Sequence, residues 1–106
     1  MRLSDFASDL PKNLSRRAAN DLLAILRRSA KEFGVVTARR SGWRLLSRCH
    51  SIAEGTAVGH RRHDIPTGTP TLFVTEPPWI IAYNSDTRQV LRIIHGAQDF
   101  PALFRE

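Results

Sequence analysis

The apolar residues of this chain change period once, and that change limits what it can fold into. From residue 15 to residue 54 they recur every third or fourth position, the spacing of a helix face. From residue 71 to residue 95 they sit in short runs rich in β-branched and aromatic side chains, the pattern of strands. Helices come first and strands last, with no alternation. Segregated elements of this kind predict an α+β domain, with an antiparallel two-helix hairpin packed on one face of a small antiparallel β-sheet.

The helical half divides at a glycine. Residues 15–33 place Ala18, Leu22, Ile25, Leu26, Ser29 and Phe33 on one face. Ser15 is a suitable N-cap, since its hydroxyl can accept an amide hydrogen of the first turn. Gly34 stands where a left-handed residue would end the helix. Residues 35–54 carry Ala38, Gly42, Leu45, Leu46, Cys49, Ile52 and Ala53 on their apolar face, with Gly55 as the second stop. Gly42 costs about 1 kcal/mol of helix propensity, and on that face it lets a neighbour approach closely. One glycine-containing turn between two amphipathic helices predicts an antiparallel hairpin.

Residues 55–70 read as a loop, broken by Gly55, Gly59, Pro66, Gly68 and Pro70. Three strands then follow, over residues 71–75, 79–84 and 89–95. Pro77-Pro78 and the turn Asn84-Ser85-Asp86-Thr87 separate them, so the expected sheet is a meander. Residues 1–13 read as an N-terminal arm, with a short strand near Lys12–Leu14. Residues 14–106 read as a single domain. Phe100, Leu103 and Phe104 of the tail are expected to fold back onto the core.

A chain of 106 residues supports one core and no second domain. Its charge is the informative part of its composition. Sixteen Lys and Arg against ten Asp and Glu give +6, and fourteen of the sixteen are arginine. Residues 1–68 hold thirteen basic and six acidic side chains, whereas residues 69–106 hold three and four. A basic half calls for an acidic partner, either nucleic acid or an acidic protein segment. Arginine suits bidentate contacts to phosphate and carboxylate alike, so composition does not separate the two. The single cysteine, Cys49, excludes an internal disulfide and fits a reducing compartment. No apolar run approaches the ~20 residues of a membrane span, and none near the start has signal-peptide character. A cytoplasmic protein without a membrane partner is expected.

Arg40, Arg44 and Arg48 follow one another at i, i+4 and i+8 beside the apolar face of the second helix, with Trp43 near them. One reading is a solvated helix face. The other is a docking surface for an acidic segment, with Trp43 as an aromatic anchor. A groove-reading nucleic-acid surface is less favoured, because no helix-turn-helix or zinc-finger spacing is present. Cys49-His50 and His60-x-x-His63 only superficially resemble metal ligands. Cys49 lies on an apolar helix face, where burial raises a thiol's pKa and makes it inert. No metal or cofactor is expected. His95 ends the third strand, Arg92 precedes it, and Tyr83 ends the neighbouring strand. Such a set can in principle cleave RNA, with histidine as general acid or base and arginine stabilising the developing charge. The blander reading has His95 fixing a strand end.

The segment Leu91-Arg92-Ile93-Ile94-His95-Gly96-Ala97-Gln98-Asp99, followed by Leu103-Phe104, resembles the C-terminal signature of the ParE toxins. These belong to the RelE/ParE superfamily of bacterial toxin–antitoxin systems. Gly59-His60-Arg61-Arg62 resembles the family's glycine-plus-arginine loop, and Trp79-Ile80-Ile81-Ala82-Tyr83 its aromatic-started strand. Leu14-Ser15 leading into Asp21-Leu22 resembles the start of its first long helix. The chain departs from the family pattern at Leu72-Phe73, where many relatives carry an arginine after the leucine. It departs again at Glu76-Pro77-Pro78, which replaces a glycine-containing turn.

The resemblance implies a helical hairpin on a small antiparallel sheet, the arrangement the periods give on their own. It also implies a cognate ParD-like antitoxin whose C-terminal segment wraps the toxin. ParE-type members arrest growth by inhibiting DNA gyrase, whose cleaved DNA complex they stabilise, without catalytic residues of their own. On that reading Arg61, Arg62, Arg92 and His95 are expected to contact the target, and Arg40, Trp43, Arg44 and Arg48 the antitoxin. RelE-type members instead cut mRNA on the ribosome. That alternative would use His95, Tyr83, Arg61, Arg62 and Arg92 as its catalytic set, and it expects more basic charge on the sheet half than is present. A third reading is an inactive relative kept as an interaction module.

Overall fold

In a computed structural model of the chain, described over residues 10–62 and 68–96, two helices precede three strands. The helices are α1 (Arg16–Phe33) and α2 (Val35–Glu54). The strands are β1 (Thr71–Glu76), β2 (Trp79–Asn84) and β3 (Val90–His95), antiparallel in the order β1-β2-β3. The element bounds fall within a residue or so of the periodicity reading. The tail residues Phe100, Leu103 and Phe104, His63, and the first nine residues of the arm lie outside the described residues.

Ser15 starts α1 as its chemistry predicts. Its hydroxyl accepts from the Ala18 amide at 3.0 Å and donates to the Leu91 carbonyl at 3.0 Å, so the cap also ties the helix to β3. Gly34 ends α1 and starts α2 by itself. Its amide donates to the Ala30 carbonyl, and its own carbonyl accepts from Ala38. Its φ of 93° and ψ of 163° lie outside the left-handed helical region expected there, but in territory that still favours glycine. Gly55 does adopt the left-handed conformation, with φ 80° and ψ 13°.

The hairpin buries Ala18, Leu22 and Leu26 against Leu45, Leu46, Cys49 and Ile52. Beneath them lie Val74, Ile81, Tyr83, Val90 and Ile93 of the sheet. Each fully buried leucine or isoleucine of this set contributes on the order of 1.5–3 kcal/mol. Two residues assigned to the apolar faces are not in the core. Phe33, 68% exposed, stands at the end of α1 and walls an open groove beside Pro78 and Trp79. Ala53, in the last turn of α2, is also exposed, and its carbonyl accepts from the Arg88 guanidinium.

The opposite face of the sheet holds a smaller cluster, Phe73, Ala82 and Ile94 with Ile80. Phe73 therefore has a packing role on this face. A bulge shapes β3: Ala82 pairs with Arg92 but Tyr83 pairs with Val90, leaving Leu91 as the extra residue. The bulge brings Val90 and Ile93, three residues apart, to the same face. The short strand expected near residues 12–14 is a single parallel bridge, Leu14 to Val90.

Candidate functional site

The arginine stripe of α2 converges as the helical spacing requires. Arg40, Trp43, Arg44 and Arg48 line one open groove of about 550 Å³, together with Glu76 at the end of β1. Arg48 donates to Glu76 at 2.9 Å, so one arginine is committed to holding α2 against the sheet. Arg40 and Arg44 have no ion pair among the described residues and leave the groove positive. Trp43, 46% exposed, supplies an apolar wall between them.

The arginine loop is set by Gly59. The two backbone hydrogen bonds between His60 and Phe73, 2.9 and 2.8 Å, lay residue 60 along the outer edge of β1. That path runs directly over Tyr83. A Cβ at position 59 would overlap the Tyr83 hydroxyl and sit 2.8 Å from Leu72 Cβ, so only glycine fits. Arg61 follows exposed and Arg62 half-buried.

Arg92 and His95 lie at the opposite edge, in an open groove of about 700 Å³ between α1 and β3. Asp21 organises it. Its Oδ2 accepts from Arg92 Nε at 2.8 Å and from the Ile93 amide at 3.0 Å, and its Oδ1 accepts from Arg92 Nη2 at 3.3 Å. Both side chains of this pair are less than one-fifth exposed. Arg92 is thus a strut between helix and sheet, and its partner Asp21 enters the sequence reading only through the resemblance of the helix start.

A comparison with family models decides what these features belong to. The model described as the ParE toxin of type II toxin–antitoxin systems, parDE, matches residues 13–100. The chain belongs to the ParE toxin family. Membership implies an antitoxin partner in a type II system. No curated protein matches the chain. Among the described residues no helix is long and apolar enough to cross a membrane.

Within this ParE fold the expected target-binding set does not form one cluster. Arg61 and Arg62 follow the bridge to the outer edge of β1, while Arg92 and His95 are on β3, three strand spacings or about 14 Å away across the sheet. The set considered for RNA cleavage is more scattered still. Tyr83 is 6% exposed and packs in the main core. His95 pairs with Trp79, four residues along β2 from Tyr83, a separation of about 13 Å.

Two further residues tie the elements of the fold together without a sequence signal of their own. The Asn13 amide nitrogen donates to the Cys49 and Arg88 carbonyls, both at 3.1 Å, joining the chain's start to α2 and the β2–β3 turn. Arg88, with a positive φ of 62°, reaches back over Gly55 to the carbonyl end of α2, where a cation is favoured. Cys49 is fully buried, and burial pushes its thiol from 9.0 up to about 12. The folded state therefore keeps the proton that the unfolded chain loses above pH 9. That contribution is complete below pH 9 and falls by about 1.4 kcal/mol per unit from pH 9 towards 12. Denaturant titrations at pH 8 and 10 should show the wild-type chain losing that much more stability than Cys49→Ala. Parallel losses would mean that the thiol ionises in place.

Proposed function

We propose that this ParE toxin acts in the cytoplasm on DNA gyrase, stabilising its cleaved DNA complex without a cofactor. A ParD-like antitoxin neutralises it by laying an acidic C-terminal segment in the α2 groove. The observation that carries the choice of gyrase over mRNA cleavage is the dispersal of the catalytic candidates. Tyr83 is buried in the core, about 13 Å from His95. A poison needs only a surface.

Arg61 and Arg62 present that surface at one edge of the sheet, and His95 extends it at the other, a span that a target of gyrase's size can meet. Arg92 enters this reading through its pairing with Asp21, which fixes the β3 edge. The test is direct. The purified chain, gyrase, ATP and supercoiled plasmid should yield linear DNA after detergent and protease treatment. Undiminished supercoiling with no linear product would remove gyrase as the target. Arg61→Ala with Arg62→Ala should reduce cleavage about tenfold, with a cooperative melting transition confirming that the variant is folded. Full cleavage by that variant would exclude the loop from the contact.

A further inference from the structure

Two of the chain's Arg-Arg pairs, Arg16-Arg17 and Arg27-Arg28, lie on α1 and are not used by the function proposed above. At 100° per residue these four and Lys31 fall within an arc of about 120°, centred opposite the buried stripe. All five are exposed. From Arg17 to Lys31 the row runs about 21 Å at 1.5 Å per residue. No carboxylate lies inside the arc. Glu32, at its border, is held by Arg28 at 3.1 Å, and Asp21 is turned to Arg92.

An ordinary solvated face mixes both signs of charge. This one carries a single sign, at some cost to the helix. The first turn of α1 has no acidic residue and two arginines, the wrong charge for the positive end of the helix dipole. The arc also contains no aromatic side chain; the residues between the cations are Asn20 and Ala24. Single-stranded nucleic acid and RNA loops are recognised mainly by stacking on aromatic rings. A row of cations without a stacking platform matches the backbone of a duplex, which presents one negative charge per ~1.7 Å of axis.

We infer that the outer face of α1 binds the phosphate backbone of double-stranded DNA, independently of sequence. The face shares no residue with the α2 groove, so a segment lying there leaves it open. The inference does not depend on gyrase being the target.

The test is fluorescence anisotropy of the purified full chain with a labelled duplex of arbitrary sequence. Neutralising four or five phosphates gives a slope of log K on log salt of about −4, a loss of roughly 250-fold between about 50 and 200 mM salt. Arg27→Glu with Lys31→Glu should weaken binding at least about 20-fold at the lower salt. Arg40→Glu with Arg44→Glu makes the same change in net charge on α2 and should cost no more than about threefold. Arg16→Glu with Arg17→Glu should weaken binding like the first pair while the melting temperature holds or rises, because acids complement the helix start. That variant separates lost binding from lost folding. Equal losses from the α1 and α2 pairs would overturn the inference, because net charge alone would then explain the binding. Tighter binding of a single strand, or no duplex binding at the lower salt by the folded chain, would overturn it as well.

Discussion

Replacing Gly59 with alanine is expected to lower the melting temperature by about 10–20 °C and to abolish toxicity together with it. The added Cβ would overlap the Tyr83 hydroxyl and press within 2.8 Å of Leu72 Cβ and 2.9 Å of Tyr83 Cε1. None of these atoms is the free end of a flexible chain. Tyr83 is seated in the core, and Leu72 Cβ is fixed by its strand. The loop must therefore lift, and the two hydrogen bonds between His60 and Phe73 go with it. Overpacking of this kind costs about 2–3 kcal/mol. Tyr83→Phe in the same chain removes the nearest obstacle and should recover part of the loss, a coupling that a double-mutant cycle measures. Gly68→Ala is the control, since nothing lies within 4 Å of the Cβ it would add. A Gly59→Ala chain that melts with the wild type would show that the arginine loop is not seated on Tyr83.

Most of the fold was legible in the sequence, because amphipathic periods report burial directly. Ser15, Gly34 and Gly55 marked the helix ends through their backbone and capping chemistry, and the proline and asparagine turns marked the strands. What the periods missed lies where one residue answers to two constraints. Phe33 fits the apolar stripe of α1, yet it ends the helix and becomes a groove wall. Leu91 looks like any strand residue, but it is the bulge that lets Val90 and Ile93 share a face. Sequence spacing carries no record of such an insertion, because it exists only relative to the partner strand.

The site was legible in pieces. The i, i+4, i+8 spacing of Arg40, Arg44 and Arg48 placed them on one face of α2, and the helix brings them together with Trp43 because its geometry leaves no alternative. The grouping of Arg61 and Arg62 with Arg92 and His95 rested on proximity between segments, which spacing does not encode. The meander places them at opposite edges of the sheet. Asp21 was visible only in the resemblance of the helix start, and its pairing was hidden for the same reason. Its partner Arg92 is seventy-one residues away in sequence, and nothing local distinguishes it from a solvated helix aspartate. The residues sequence reasoning reaches are those whose neighbours lie on the same element.

Combining Trp43→Ala with Arg44→Glu is expected to weaken the complex with a ParD-like antitoxin by at least about 3 kcal/mol, roughly 150-fold in Kd. The two changes remove different parts of one contact. Trp43 is the only aromatic side chain among the described residues of the groove and offers the apolar area that an amphipathic segment would bury. Arg44 is unpaired among the described residues, so its reversal meets an acidic segment with repulsion and relieves no existing bond. Arg48 is left alone because its pairing with Glu76 holds α2 to β1, and its loss would confuse binding with stability. Arg44 is exposed, and alanine favours the helix at position 43. About half of Trp43 is covered, however, so the variant should lose about 1–3 kcal/mol of unfolding free energy and stay folded. Arg44→Glu alone serves as the binding variant with stability within about 0.5 kcal/mol of wild type. The variant should still drive gyrase to linear DNA while the antitoxin no longer suppresses it. Retained affinity at unchanged fold would move the antitoxin off α2, and the open groove between α1 and β3 would become the surface to mutate next.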